Sequence, residues 1–276
     1  LYYDCIVMEQ AAKLLKHSGD AAFFARTALE VKDAINNRFL DKEKGYYETN
    51  SQAANLFPLF LGIVPEGLRR KVLEHLLDDL VKENDYRITT GNQATKYLYE
   101  VLNQENLNHI AYKLASRDTY PGIGYMLANG ATTIWERWEL NDGPYMNSHD
   151  HPMHGAFSVW FFKALGGITP ENGLTDGIVT IAPKPVDGLS YANAVYETPK
   201  GKLESGWTRK EDGIEFHVRI PWNTRARFTV PPVICSETQL FVNGIDVTDS
   251  GGIPGAAVGL CTCEARCNGL DILLDP

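Results

Sequence analysis

No run of about 18 consecutive apolar residues occurs in this 276-residue chain, so no segment of it reads as a membrane-spanning helix. Basic charge is scarce too. Lys and Arg number 26 against 35 Asp and Glu, a net charge of −9, and no basic patch is interleaved with aromatic residues. A nucleic-acid partner, whose phosphates would be repelled, is argued against, and a neutral ligand is favoured. Cysteines are few and odd in number: Cys5 and Cys235 stand alone, and Cys261, Cys263 and Cys267 cluster near the end. That Cys-x-Cys-x3-Cys cluster lacks the paired spacing of a zinc site and has no nearby His, so the expectation is no metal, no cofactor and incidental or buried thiols. Low-complexity tracts, an initiator Met and a signal sequence are also missing. Because the first residues already follow a helical pattern, the expectation is a fragment whose targeting information lies elsewhere. What is present is a 44% hydrophobic, 22% charged composition, enough for a full core and for two domains.

The first part of the chain is helical in period. Ile6, Val7, Ala11, Leu14 and Leu15 recur at helical spacing before Ser18-Gly19-Asp20. Phe24, Ala28, Val31 and Ile35 then form one apolar stripe, which Asn36-Asn37 and Asp41 to Gly45 are expected to end. Gln52 to Leu61 is apolar nearly all round and predicts an inner helix. Leu68, Val72, Leu73, Leu76, Leu77 and Leu80 predict an outer one, and Thr95–Leu102 and Leu107–Ala115 a further pair. A helix over Thr132–Trp138 and a last one from about Met153 to Leu165 would close the region.

Beyond Gly166-Gly167 the period becomes two. Ile214, Phe216, Val218 and Ile220 alternate with Glu215, His217 and Arg219, paired through an Asp212-Gly213 turn to a strand holding Leu203, Ser205 and Trp207. Ala226, Phe228 and Val230 alternate again, Asn243-Gly244 signals a hairpin, and Ile272 and Leu274 a last strand. The prolines from Pro183 to Pro232 fall between these runs. Residues 1–173 are thus expected to form a helical domain and 174–276 a small antiparallel β-sandwich.

The run Trp135-Glu136-Arg137-Trp138 sets one carboxylate between two indoles. Such a run exposes aromatic area or buries a charge, and a ligand that covers the rings relieves either. Sugars do so, with C–H faces that stack on rings and hydroxyls that need polar partners. Gly130 and Thr132-Thr133 read as a loop and an N-cap, placing Glu136 in the first turn of a short helix. Equally open is a plain helix whose Trp135 and Trp138, three apart, are core. The surroundings favour a site: an aromatic loop Tyr120-Pro121-Gly122-Ile123-Gly124-Tyr125-Met126 precedes, and Glu139, Asn141, Asp142, Tyr145, His149, His151 and His154 follow. The three histidines match neither a helical i, i+4 pair nor a zinc signature.

These strings, Tyr-Pro-Gly-Ile-Gly-Tyr-Met, then Asn-Gly-Ala-Thr-Thr-Ile-Trp-Glu-Arg-Trp, then Met-Asn-Ser to the histidines, resemble the C-terminal half of the catalytic barrel of bacterial α-L-rhamnosidases, glycoside hydrolase family 78. Residues 51–66 and 90–98 resemble barrel helices of that family, and 174–232 its C-terminal β-domain. The resemblance implies a partial (α/α)6 toroid. A ring of six hairpins has twelve helices and about eight are read here, so roughly the first third is expected outside this chain. It also implies an inverting glycosidase with L-rhamnosides as substrate, acting in a secreted or periplasmic setting, with a cytoplasmic one also open. Inversion takes two carboxyl groups about 6.5 to 9.5 Å apart. Glu136 matches the general base, and indole walls are expected to raise its basicity provided Arg137 points outward. His151 matches a histidine that hydrogen-bonds rhamnose, against the alternative of a helix cap. Trp135, Trp138 and Tyr125 are stacking platforms or core, with at least one lining the pocket. His149, Pro152 and His154 depart from the commonest family pattern, and His149 and His154 read as structural. The family's acid motif, of the form Asp-x-x-x-Trp-x-x-Glu, is not found in residues 1–120, so this chain alone is expected to be inactive or nearly so. Two alternatives stand: another toroidal enzyme, such as a glucoamylase-like hydrolase or a lyase, and a non-catalytic carbohydrate-binding protein.

Overall fold

The computed structural model describes residues 1–144, 147–169, 178–211 and 213–231, and beyond them the backbone of 241–242, 245–246, 260–266 and 269–274. The Asp212 and Asn243-Gly244 turn residues and the side chains of Cys235, Cys261, Cys263 and Cys267 lie outside the described residues. Two compact units emerge, residues 1–106 with 113–157, and residues 107–112 with 158–276.

The first unit is helical. Helices α1 (Tyr2–Leu14) and α2 (Ser18–Phe39) pack as a hairpin; α2 runs through Asn36-Asn37 and stops at Phe39, between that pair and the Asp41 to Gly45 stretch expected to end it. Asn36 is buried and bonded. Its Nδ2 donates to the Ile63 carbonyl at 2.8 Å, and its Oδ1 accepts from the Tyr47 hydroxyl at 2.5 Å. Strands β1 (Leu40–Asp41) and β2 (Tyr46–Tyr47) form a two-residue hairpin. Helix α3 (Gln52–Leu61) starts at Ser51, whose hydroxyl accepts from the Ala54 amide, and exposes none of its residues. It is the inner helix that its composition predicts. Leu56 and Leu59 of α3 are buried, as are Leu98 and Leu102 of α5 (Asn92–Gln104), each burial contributing about 1.5–3 kcal/mol. Helix α4 (Glu66–Asp78), continued by a π turn, buries Val72, Leu76 and Leu80 and leaves Arg70 and Lys71 in water. Helix α6 (Asn108–Ala115) crosses from one unit's residues to the other's.

Eight α-helices occur among the described residues, but the seventh is not the expected one. Residues 131–140 contain no helix; α7 lies earlier, at Ile123–Ala128. Asn129-Gly130 ends it. Gly130 adopts φ +81°, its amide donates to Leu127 and the Ala131 amide to Met126 at 3.0 Å, a Schellman stop in which the left-handed residue carries no Cβ. A stop signal had the look of a start. The Thr133 hydroxyl donates to the His149 carbonyl and caps nothing. Likewise the helix expected over 153–165 is divided into α8 (Pro152–Gly155), a 3-10 turn (Ala156–Ser158) and a π turn (Phe161–Leu165).

In the second unit, β5 (Tyr191–Thr198), β6 (Gly201–Arg209) and β7 (Ile214–Arg219) form an antiparallel sheet. A five-stranded sheet has the order β11 (Leu260–Arg266), β12 (Gly269–Leu274), β8 (Arg225–Val230), β4 (Ile178–Ile181), β3 (Ile168–Thr169). Its pairs are antiparallel except β4 with β8, which run parallel. A β9 (Phe241–Val242) and β10 (Ile245–Asp246) hairpin also forms. Val179, Ile181, Ala226, Phe228 and Val230 from one sheet share a core with Ala194 and Leu203 from the other, as in a sandwich. Described prolines of this unit all fall outside its strands. Gly167, at φ +69°, has the Pro183 nitrogen 2.0 Å from where a Cβ would stand, so only glycine fits.

Candidate functional site

Three buried amides prepare the ground in the first unit. Gln52 donates to the Arg87 carbonyl and accepts from the Thr89 amide, both at 2.9 Å, which pins a loop 35 or more residues away. Asn55 accepts from the Tyr47 amide at 2.9 Å and donates to Asn50 at 2.8 Å. With Asn36 they are the buried side-chain amides among the unit's described residues, and each is hydrogen-bonded. Thr95 gives its one hydroxyl proton to the Gly91 carbonyl, so in the Thr90–Thr95 contact Thr90 is the donor. The Thr90 carbonyl, thus fixed, accepts the indole N–H of Trp138 at 2.9 Å.

Onto this frame the Glu136 segment is laid as a run of bends without helix or strand. The Glu136 amide donates to the Ser148 carbonyl at 2.9 Å, and the His151 amide to the Ile134 carbonyl at 2.8 Å, so residues 134–136 lie beside 148–151. β-Branched and aromatic residues at 132–135 have low helix propensity, which fits the absence of a helix there. The Glu136 side chain is half-buried, and its Oε2 accepts from the Ser148 amide at 3.0 Å. Its other carboxylate oxygen has no hydrogen-bond partner among the described residues. Ser148 is itself braced, its hydroxyl donating to the Asp150 carbonyl and accepting the Asp150 amide.

Both tryptophans are buried, 3% and 8% exposed, and their ring contacts are with histidines. Trp135 stacks on His149 at 5.1 Å and 26°, and Trp138 meets His154 edge-on at 4.1 Å. With so little area exposed, the packing alternative describes both rings better than a stacking platform does. Tyr125, half-buried on α7, contacts Tyr120 edge-on at 5.4 Å; no described contact joins it to Glu136. Arg137 does point outward, about half exposed and 2.6 Å from Glu139, which raises the guanidinium pKa and holds the Glu139 carboxyl below its ordinary range.

His151 precedes α8 without a side-chain capping bond, and its buried Nδ1 lacks a partner among the described residues. The capping alternative is therefore not what its ring does. His154 is fully buried, with Nδ1 2.9 Å from the Trp135 carbonyl. Sequence reasoning singled out Glu136 and its flanking rings but not the partners Ser148 and Gln52, whose bonds involve main-chain atoms of distant residues that no motif displays.

A helical unit followed by a mostly antiparallel β unit is the architecture of a six-hairpin glycosidase with a C-terminal β-domain. The family described as bacterial alpha-L-rhamnosidase 6 hairpin glycosidase domain matches residues 1–165, and the bacterial alpha-L-rhamnosidase C-terminal domain matches 177–238. The chain belongs to the bacterial α-L-rhamnosidase family. An α-L-rhamnosidase of Formosa agariphila is 32% identical over 243 residues, 83% of this chain and 25% of that protein. The solved α-L-rhamnosidase from Dictyoglumus thermophilum is 31% identical with a TM-score of 0.88, covering 99% of this chain and 30% of its own. The Streptomyces avermitilis enzyme, solved in complex with L-rhamnose, shares the fold at TM-score 0.79 and 24% identity over 99% of this chain and 25% of its own. The chain spans about a quarter of the length of the curated relatives it matches.

Proposed function

We propose that this chain carries the general base of an inverting α-L-rhamnosidase, and that the base is Glu136. The observation that carries it is the half-buried Glu136 carboxylate held on one oxygen by the Ser148 amide at 3.0 Å. One oxygen fixes the group and the other is available to a water, which is what abstracting a proton from an attacking water requires. His151 supports the reading: its buried, unpartnered Nδ1 is the kind of polar atom that a sugar hydroxyl would satisfy. Tyr125 would line the pocket, and the buried Trp135 and Trp138 would brace the segment that carries Glu136. The substrate would be a terminal α-L-rhamnoside, since relatives carry that activity in their names and one was solved with L-rhamnose. Residues 1–173 would be the C-terminal part of the barrel and 174–276 its β-domain. The acid would come from residues outside this chain, because the family's acid motif does not occur in 1–120.

The test is hydrolysis of an aryl α-L-rhamnoside by the full-length protein, its Glu136→Gln variant and this chain alone. Glu136→Gln is expected to lower kcat by about 10²- to 10⁴-fold, and the chain alone to turn over negligibly. A Glu136→Gln variant at the unaltered rate would remove the base assignment; robust turnover by the chain alone would show that it needs no further carboxyl.

A further inference from the structure

His154 takes no part in the chemistry assigned above, yet it grips the peptide from which Glu136 projects. A carbonyl only accepts, so the 2.9 Å contact between Nδ1 and the Trp135 oxygen puts the ring proton on Nδ1. Burial lowers the imidazole pKa, so the ring is neutral near pH 7 and its buried Nε2 is a bare acceptor without a partner among the described residues. The Trp135 carbonyl and the Glu136 amide are two ends of one planar peptide unit. His154 holds the first, and the Ser148 carbonyl holds the second at 2.9 Å. That plane cannot turn without breaking both bonds. The ring in its turn is set by Trp138, edge-on at 4.1 Å and 74°, and Trp138 by the Thr90 carbonyl.

We propose that His154 is a positioning residue for Glu136, clamping the 135–136 peptide so that the carboxylate keeps its orientation; this rests on Glu136 being the base. The aim of a carboxylate depends on its backbone as well as its rotamer, and a displacement of about 1 Å at a reacting group can reduce a rate by about 10²-fold. A leucine here would fill the space and leave the Trp135 oxygen unheld. An asparagine places an N–H where Nδ1 stands.

The test is a double-mutant cycle on aryl α-L-rhamnoside hydrolysis in the full-length protein. His154→Leu is expected to lower kcat by about 10- to 100-fold with KM little changed, and His154→Asn to recover most of that loss. In a Glu136→Gln background His154→Leu is expected to lower kcat by less than about threefold, because there is no longer a base to aim. Equal losses in both backgrounds, or an Asn variant no better than Leu, would overturn the positioning role while leaving Glu136 in place. Undiminished activity in Glu136→Gln would instead remove the base, and the clamp with it. If His154→Leu does not fold, His154→Phe, which keeps a ring against Trp138, takes its place in the cycle.

Discussion

Trp138 and Trp207 do the same thing in different ways. Each is buried, and each donates its indole N–H at 2.9 Å to a carbonyl far along the chain, Thr90 for one and Leu165 for the other. Trp207 sits mid-strand in β6, with ladder partners Ala192 and Phe216 on its two sides. Trp138 sits in a segment with no regular structure. In the sheet, the backbone is fixed by its own ladder and merely presents the side chain. In the Glu136 segment only two main-chain bonds tie the backbone to its neighbour, and side chains (Trp138, His154, Thr133 and the Glu136 carboxylate itself) supply the rest of its hold. A segment held that way can carry a carboxylate in an arrangement that no ladder would permit. It also depends on each of those side chains.

The largest effect should come from the sheet. Trp207→Ala removes the biggest fully buried side chain of the second unit and leaves the Leu165 carbonyl unheld, so about 3–5 kcal/mol of that unit's stability is expected to go, read by urea unfolding with hydrogen exchange on the β5–β7 amides. A loss below about 1 kcal/mol would mean the ladder alone holds the unit. Milder substitutions sharpen the contrast. Trp138→Phe keeps most of the volume but leaves the buried Thr90 carbonyl without its donor, at about 1–3 kcal/mol. Exchange at the Glu136 and His151 amides is expected to quicken, whereas Trp207→Phe should leave the amides flanking β6 protected. Equal loosening at the two places would dissolve the distinction between them.

The same contrast explains what the sequence displayed. The existence of helices α1 to α5 and strands β6 to β8 follows from apolar spacing or composition, a local property, although Val7, Leu14 and Leu15 of the first spaced run are exposed. The parallel pairing of β4 with β8 joins residues about 47 apart and has no local sign. The tie between Gln52 and Arg87 is equally remote, so an amide that composition makes one polar residue in an apolar helix turns out to be the pin of a loop. Glu136 was legible because a carboxylate between two indoles is uncommon, and its outward neighbour Arg137 followed. The geometry around it was not. Asn129-Gly130 means a helix stop only once α7 is known to precede it, and the partners that orient Glu136 are the main-chain atoms of Ser148 and a histidine that looked structural.

The smallest effect is expected one residue along, at Arg137. This side chain lies on the same segment but outside the set that holds it: about half exposed and paired with Glu139 at 2.6 Å. Such pairs lose most of their attraction to solvent and salt, so Arg137→Gln should leave the neutral-pH unfolding midpoint and rhamnoside turnover unmoved. Its signature is in acid. The hydrogen bond from Arg137 depresses the folded pKa of Glu139 below its ordinary 4.5, so that contribution is present above pH 4.5 and is lost as pH falls through the depressed value. In Arg137→Gln the Glu139 carboxyl should titrate near its ordinary value by NMR, and the acid-side loss should shrink. A fall in turnover approaching that of Glu136→Gln would mean that Arg137 turns inward in the working enzyme, and that this segment, too, gives every one of its side chains to the site.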